Sequence, residues 1–343
     1  MKKILVTGGC GFLGSHVCEL FQKKGWDVVS YDNLTKFEYS RTPYNVEAVR
    51  NYNLKYLEQL GIKTTVADVR NLAELKKAAA GCDLIAHCAA QPAMTIAYEE
   101  PLFDFDVNAK GFMNILEVAR AGNIPIANCS TVHVYGNGIN DELRENASRF
   151  ENQNGPICED HKVLSGSLSP LHASKRTTEI YGLAYTDSFA LPVVSFRLTG
   201  IYGPRQFGGE DHGWVANFAI KAVMGQQVKI YGTDKQVRDI LYVKDAAQAF
   251  MDWYNAGCPP GIYNIGSGEK SSISLQECIG LLRAITGKRI QITIEGERKG
   301  DLYWYVSDYR KATGSFGWKP ETLPPSGISR LVDWIKENKE LFG

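Results

Sequence analysis

Short apolar runs alternate with helical periodicities from the first residues of the chain. Runs at 3–7, 27–31, 63–67, 83–87, 125–129 and 192–197 predict strands. Between them, apolar positions recur every three to four residues over 12–24, 71–80, 103–121 and 173–188, which predicts helices. Strands alternating with helices predict an α/β fold built on a doubly wound parallel sheet. Beyond Gly203 the order changes. Short strands at 228–231, 261–265 and 290–294 mix with helices at 213–224, 245–256, 274–286 and 325–338. This predicts a smaller C-terminal α+β lobe for substrate. The expected division is 1–190 for the sheet domain, with 233–258 returning to it, and 191–343 mainly for the lobe. The stretch 137–168 is polar and lacks periodicity, so it reads as a long excursion near the active site.

The turn after the first strand narrows the fold to Rossmann type. Gly8, Gly11 and Gly14 follow Ile4-Leu5-Val6 at once, and the helical pattern opens at Phe12 and Leu13. Gly8 permits a tight turn, Gly11 lets the backbone approach a pyrophosphate, and Gly14 lets helix and strand pack closely. The helix N-terminus then offers free N–H groups and a positive dipole end to phosphates. Asp32, followed by Asn33, ends the second strand. A carboxylate there accepts hydrogen bonds from the adenosine ribose and repels a 2′-phosphate, which favours NAD over NADP. A capping Asp in a turn is the other reading. Asp68, followed by Val69, ends the third strand, where it can meet the adenine amino group. Ala89, Ala90 and Gln91 end the fourth; the alanines serve close cofactor approach or plain core packing. Asn108 also belongs to the expected cofactor set.

Charge and cysteine usage exclude other classes. The 343 residues carry 38 Lys and Arg against 38 Asp and Glu, unclustered, so neither nucleic acid nor a membrane surface is an expected partner. No apolar run approaches the roughly 20 residues of a membrane helix. The start, Met1-Lys2-Lys3, precedes a stretch too short and glycine-broken for a signal, which predicts a cytoplasmic protein. Eight cysteines form no Cys-x-x-Cys pair and read as buried thiols. Six histidines show no ligand spacing, and no metal is expected.

Several segments carry a family resemblance. Thr7-Gly8-Gly9-x-Gly11-Phe12-x-Gly14-Ser15, Asp32-Asn33, Ala67-Asp68-Val69 and His87-x-Ala89-Ala90 resemble the extended short-chain dehydrogenase/reductase family. So do Ser130-Thr131-Val132-His133-Val134-Tyr135-Gly136, Ser169-Pro170 with Ser174-Lys175, and Phe196-Arg197. The series closes with Ile201 to Gln206, Val237 to Asp245, and Arg298-Lys299-Gly300-Asp301. Members with these parts mostly act on nucleotide-linked sugars. Ala93-Met94-Thr95, Arg205-Gln206-Phe207 with Gly213-Trp214-Val215, and Gly232-x-x-Lys235-Gln236-Val237-Arg238 are similar to the CDP-tyvelose (CDP-paratose) 2-epimerases. Other epimerases share parts of these. The resemblance implies that Arg238 and Arg298 clasp the nucleotide diphosphate, for which a planar guanidinium is suited; exposed ion pairs are the alternative. Thr199, Gln206, Trp214 and Tyr231 complete the implied substrate contacts, although a single aromatic is more safely read as core. Helices 103–121 and 173–188 correspond to a four-helix dimer interface, which implies a homodimer.

One position breaks the pattern. The family takes the substrate hydroxyl proton with Tyr-x-x-x-Lys, in which the lysine lowers the tyrosine pKa and holds the nicotinamide ribose, assisted by a Ser or Thr; the resemblance thus implies that Lys175 also binds the cofactor. Thr131 and Lys175 are in place, but Leu171 stands four residues before the lysine. Three readings follow. His172 or His133 takes the proton; or the chain only binds NAD and a nucleotide sugar; or leucine has replaced a natural tyrosine. His172 lies three before Lys175, hence beside it on a helix, about 100° from the direction of the missing phenol. Family dehydratases carry an acidic pair where this chain has Val132 and His133, so elimination is not expected. The resulting expectation is NAD-dependent epimerisation through a transient keto sugar, at carbon 2 of a CDP-hexose. A 4-epimerase, a keto-sugar reductase and a non-catalytic binder are the alternatives.

Overall fold

The computed structural model describes residues 1–35 and 41–343. The first strands are β1 (Lys3–Thr7), β2 (Asp27–Asp32), β3 (Lys63–Val66), β4 (Leu84–His87) and β5 (Ile126–Thr131). Among them run α1 (Phe12–Lys23), α2 (Val46–Gln59), α3 (Leu72–Ala78), α4 (Met94–Glu99), α5 (Pro101–Phe105) and α6 (Gly111–Gly122). A hairpin of β6 (Leu143–Glu145) and β7 (Phe150–Asn152) precedes the long helix α7 (Pro170–Phe189). Then come β8 (Val193–Leu198), β9 (Gly200–Tyr202), α8 (Trp214–Met224), β10 (Val228–Tyr231), β11 (Val237–Tyr242) and α9 (Val243–Asn255). The last elements are β12 (Gly261–Ile265), β13 (Ser272–Ser274), α10 (Leu275–Thr286), β14 (Ile292–Glu295), β15 (Trp304–Tyr305), α11 (Arg310–Phe316) and α12 (Pro324–Glu337).

Seven strands form one parallel sheet in the order β12-β8-β5-β4-β1-β2-β3, the doubly wound α/β arrangement expected. Alternate residues explain why these strands are apolar throughout. Ile4 and Val6 face a core shared with Val17 and Phe21 of α1 and Phe250 and Trp253 of α9. Leu5, between them, faces Phe112, Ile115 and Leu116 of α6 and Tyr185 of α7. A sheet covered on both faces buries both side-chain sets.

The division expected at residue 190 does not follow this sheet. Strands β8 and β12 lie beyond it and belong to the seven. Within 233–258, α9 packs on α1, whereas β11 pairs with β9, β13 and β15 in the lobe. The lobe is completed by the parallel pair β10–β14 and by α8, α10 and α12 around a second core. Helix α2 was not expected. Its Val49 reaches the lobe core and its Leu57 the sheet core, so no single apolar stripe marks it. The helix expected over 103–121 is α5 and α6 joined by a π-helical turn, Asp106–Lys110. Among the described residues no helix is long and apolar enough to cross a membrane.

Candidate active site

The glycine loop is packed backbone against backbone. Gly8 has φ +67°, and a Cβ there would lie 2.6 Å from the Ala89 nitrogen. A Cβ on Gly14 would lie 2.1 Å from the Gly8 carbonyl oxygen. The loop is tied from two sides. The Asp32 carboxylate accepts from the Cys10 N–H at 3.0 Å and the Leu34 N–H at 2.8 Å. Asn53, on α2, donates to the Gly11 carbonyl at 3.2 Å, a support that the sequence reading missed with the helix that carries it.

This loop opens on a cavity of about 240 Å³. Gly8, Gly11, Phe12, Asp32, Asn33, Asp68, Val69, Ala89, Ala90 and Gln91 all line it. A cradle that no Cβ can enter, at the N-terminus of α1 and with a carboxylate beside it, fits a dinucleotide. Leu13, Asn108 and Lys175 do not line it. Leu13 packs on the sheet core. Asn108 is buried in the π turn and holds the Gln91 backbone from both ends, accepting from its N–H at 2.9 Å and donating to its carbonyl at 3.1 Å. Asp104, also missed, accepts from the Gln91 amide at 2.9 Å. Asp68 corrects an expectation. Its oxygens already accept from the Arg70 backbone N–H, Nε and Nη2 and from Asn33 Nδ2, all within 2.9 Å. Those bonds, Arg70's first, hold the carboxyl down at about 2. An adenine amino group finds no free lone pair there.

Helix α7 begins with a capping box that answers the question of His172. The Ser169 hydroxyl accepts from the His172 N–H at 3.4 Å, and His172 Nδ1 accepts from the Ser169 N–H at 2.9 Å. The imidazole lone pair is therefore occupied, and the ring proton of neutral His172 sits on Nε2. The ring is a buried cap, not the general base expected. Leu171 is buried beside it. Lys175 is buried too, and its Nζ donates to the Cys129 carbonyl at 3.0 Å. Burial holds its ammonium below the ordinary lysine range. Thr131, at the end of β5, accepts through its hydroxyl from the His133 N–H at 3.2 Å. The His133 and His172 rings lie near-parallel, 6.0 Å apart. Burial first, then the charges of His172 and Arg238, push His133 down to about 3.

The expected diphosphate side adjoins this group. Arg238 donates to the carbonyls of Val237 and Leu302, and burial lowers its guanidinium to about 10. Arg298 lies 3.7 Å above the Tyr231 ring and donates to the Glu210 carbonyl at 2.9 Å. Asp301 feels both guanidinium groups, so the two arginines converge on one place. Thr199 does not join them. Its buried hydroxyl donates to the Asp239 carboxylate at 2.6 Å, which makes it a structural tie rather than a substrate contact. Gln206 donates to the Ile201 carbonyl at 3.0 Å and keeps a buried Oε1 without a partner among the described residues. Trp214 packs edge-on against Phe218 at the lobe core.

Residues 4–266 match the NAD dependent epimerase/dehydratase family. The chain belongs to that family. It is 32% identical to the CDP-paratose 2-epimerase of Salmonella typhi, over 97% of this chain and 98% of that protein. A putative UDP-glucose 4-epimerase of Methanocaldococcus jannaschii is 31% identical over 98% and 99%. The NAD complex of UDP-glucose 4-epimerase from Thermus thermophilus superposes with a TM-score of 0.79, at 29% identity, over 97% of this chain and 99% of that one. As a member of this epimerase/dehydratase family the protein is NAD-dependent, and its relatives act on nucleotide sugars.

Proposed function

We propose that the protein is a nucleotide-sugar epimerase acting at carbon 2 of a CDP-hexose. One observation carries the reading. The His133 N–H donates to the Thr131 hydroxyl and its ring feels the Arg238 charge, which supports setting the hydride side next to the diphosphate clasp. The near-full-length likeness to a CDP-paratose 2-epimerase supports the carbon and the nucleotide.

When bound, NAD takes a hydride from a carbinol carbon and returns it. The chain supplies the rest. Asp32 accepts from the adenosine ribose hydroxyls, and the Gly8–Gly11 loop holds the pyrophosphate. The Thr131 hydroxyl hydrogen-bonds the sugar oxygen. Arg238 and Arg298 hold the diphosphate while the keto sugar turns, which keeps the reacting carbon in reach on either face. Tyr231 stiffens Arg298 by stacking.

Incubation with CDP-, UDP- and dTDP-hexoses tests this. NMR of the product should show inversion at C2 with a CDP sugar, accompanied by transient NADH absorbance. Inversion at C4 points to a 4-epimerase. A second reading, a non-catalytic binder, is favoured by Leu171; binding of a nucleotide sugar without any NADH transient establishes it.

A further inference from the structure

Leu171 and Lys175 are one helical turn apart on the buried side of α7, hence neighbours. Leucine brings no polar atom to the place where the family has a phenol. The Lys175 Nζ has the Cys129 carbonyl as its hydrogen-bond partner and forms no ion pair among the described residues. The groups facing it supply little counter-charge. His87 of β4 is kept neutral by burial, and the Cys88 thiol just beyond β4 is pushed well up. Cys129 comes from β5. Asp104 of α5 is engaged by Gln91 and Asn108 and is itself raised by burial. A buried ammonium without a partner ion is costly, which favours the neutral amine. The free amine then carries a lone pair. Its anchor, the Cys129 carbonyl, lies two residues before Thr131 on the same strand. Neither histidine competes well: His172 has its lone pair in the helix cap, and His133, pushed down to about 3, holds a proton weakly.

We propose that Lys175, as the free amine, is the proton acceptor for the sugar hydroxyl in this chain. The assignment rests on the epimerase reading. In the forward step the substrate O–H bond breaks and its proton joins the Nζ lone pair. The electrons of that bond close the C=O, and the carbon's hydrogen leaves with its electron pair to NAD. The return step reverses both transfers on the other face, so the amine is regenerated.

Two measurements test this on the full chain. The first needs no turnover: a ¹³C NMR titration of the lysine Cε signals, with Lys175 assigned by its loss in Lys175→Met. Lys175 should titrate well below the other lysines; titration among them overturns the proposal. The second uses kinetics. Lys175→Arg keeps a charge but offers no lone pair, and kcat should fall by roughly 10²–10⁴-fold. Lys175→Met should fall alike, at unchanged Tm, and recover partly with an added small primary amine. His133→Asn should retain the limb of the profile in which kcat rises with pH. Wild-type kcat in Lys175→Arg, or loss of that limb in His133→Asn, overturns the base assignment and leaves the epimerase standing. A wild-type chain that binds nucleotide sugars and turns over none overturns both.

Discussion

Two side chains at the cleft show how position overrides residue type. Histidine is the side chain poised to exchange protons near neutrality, yet His172 has its Nδ1 closed by the backbone of Ser169. Its removal should therefore act on folding. His172→Ala is expected to lower stability by about 1 kcal/mol, the scale of a lost helix cap, read from urea denaturation. The pH–rate profile should keep its shape. Arg238 shows the opposite case. It is a strongly desolvated cation whose acceptors are two backbone carbonyls, so it is ready for an anion. Arg238→Ala should weaken nucleotide-diphosphate binding by roughly 1.5–3 kcal/mol, the scale for hydrogen bonds to charged groups. Calorimetry should find NAD affinity unchanged; equal loss of both ligands would signal a folding defect instead.

At the scale of elements, α7 carries the site, and a buried ion network seats it on the sheet. Glu179 accepts from Arg197 of β8 at 2.9 Å through both oxygens, and from Ser130 of β5 and Arg176 at 2.6 Å. Ser130 and Arg176 are the chain neighbours of Thr131 and Lys175, so the network registers both. Glu179→Gln leaves the buried Arg197 guanidinium without its counter-charge and should cost about 3–5 kcal/mol in chemical denaturation. This network was not legible in the sequence, because its members are scattered from Ser130 to Arg197 and pair only once the sheet order is known. The glycine loop and Asp32 were legible because their chemistry is local: a turn, a strand end, a helix start. Helix α2 was not, since its apolar residues serve two cores. Nor was the π turn that swings Asn108 inward, because a single inserted residue barely disturbs helical periodicity. The role expected of His172 failed for a similar reason. Sequence placed it beside Lys175 but could not show that Nδ1 closes the cap.

On the scale of the whole molecule, α7 leaves Ile180, Tyr181, Leu183 and Phe189 exposed, and Leu102 and Phe105 of α5 are exposed as well. Apolar groups in such number on neighbouring helices mark an interaction face. A symmetric dimer through these helices is expected, and sedimentation showing only monomer at micromolar concentration would refute it.

Acid stability is also a property of the whole chain, and its onset follows from three buried histidines. Burial lowers His16, His87 and His133 to about 3. In the unfolded chain each titrates near about 6.5. Between those values the unfolded state holds more protons than the folded one, so stability rises with pH there and falls as pH is lowered. Glu19 and Asp68, held at about 2 by their cationic partners, add a loss of the same sign, but only below the ordinary carboxylate range. The loss of stability should thus begin near pH 6.5, ahead of any carboxylate. Thermal melts at constant ionic strength should show Tm falling already between about pH 7 and pH 5. His87→Gln should shallow that slope, since glutamine can still meet the Thr7 hydroxyl that His87 Nδ1 contacts at 2.7 Å and does not titrate. A Tm that stays flat down to about pH 5 would mean that these rings take up their protons in the folded protein as readily as in the unfolded one.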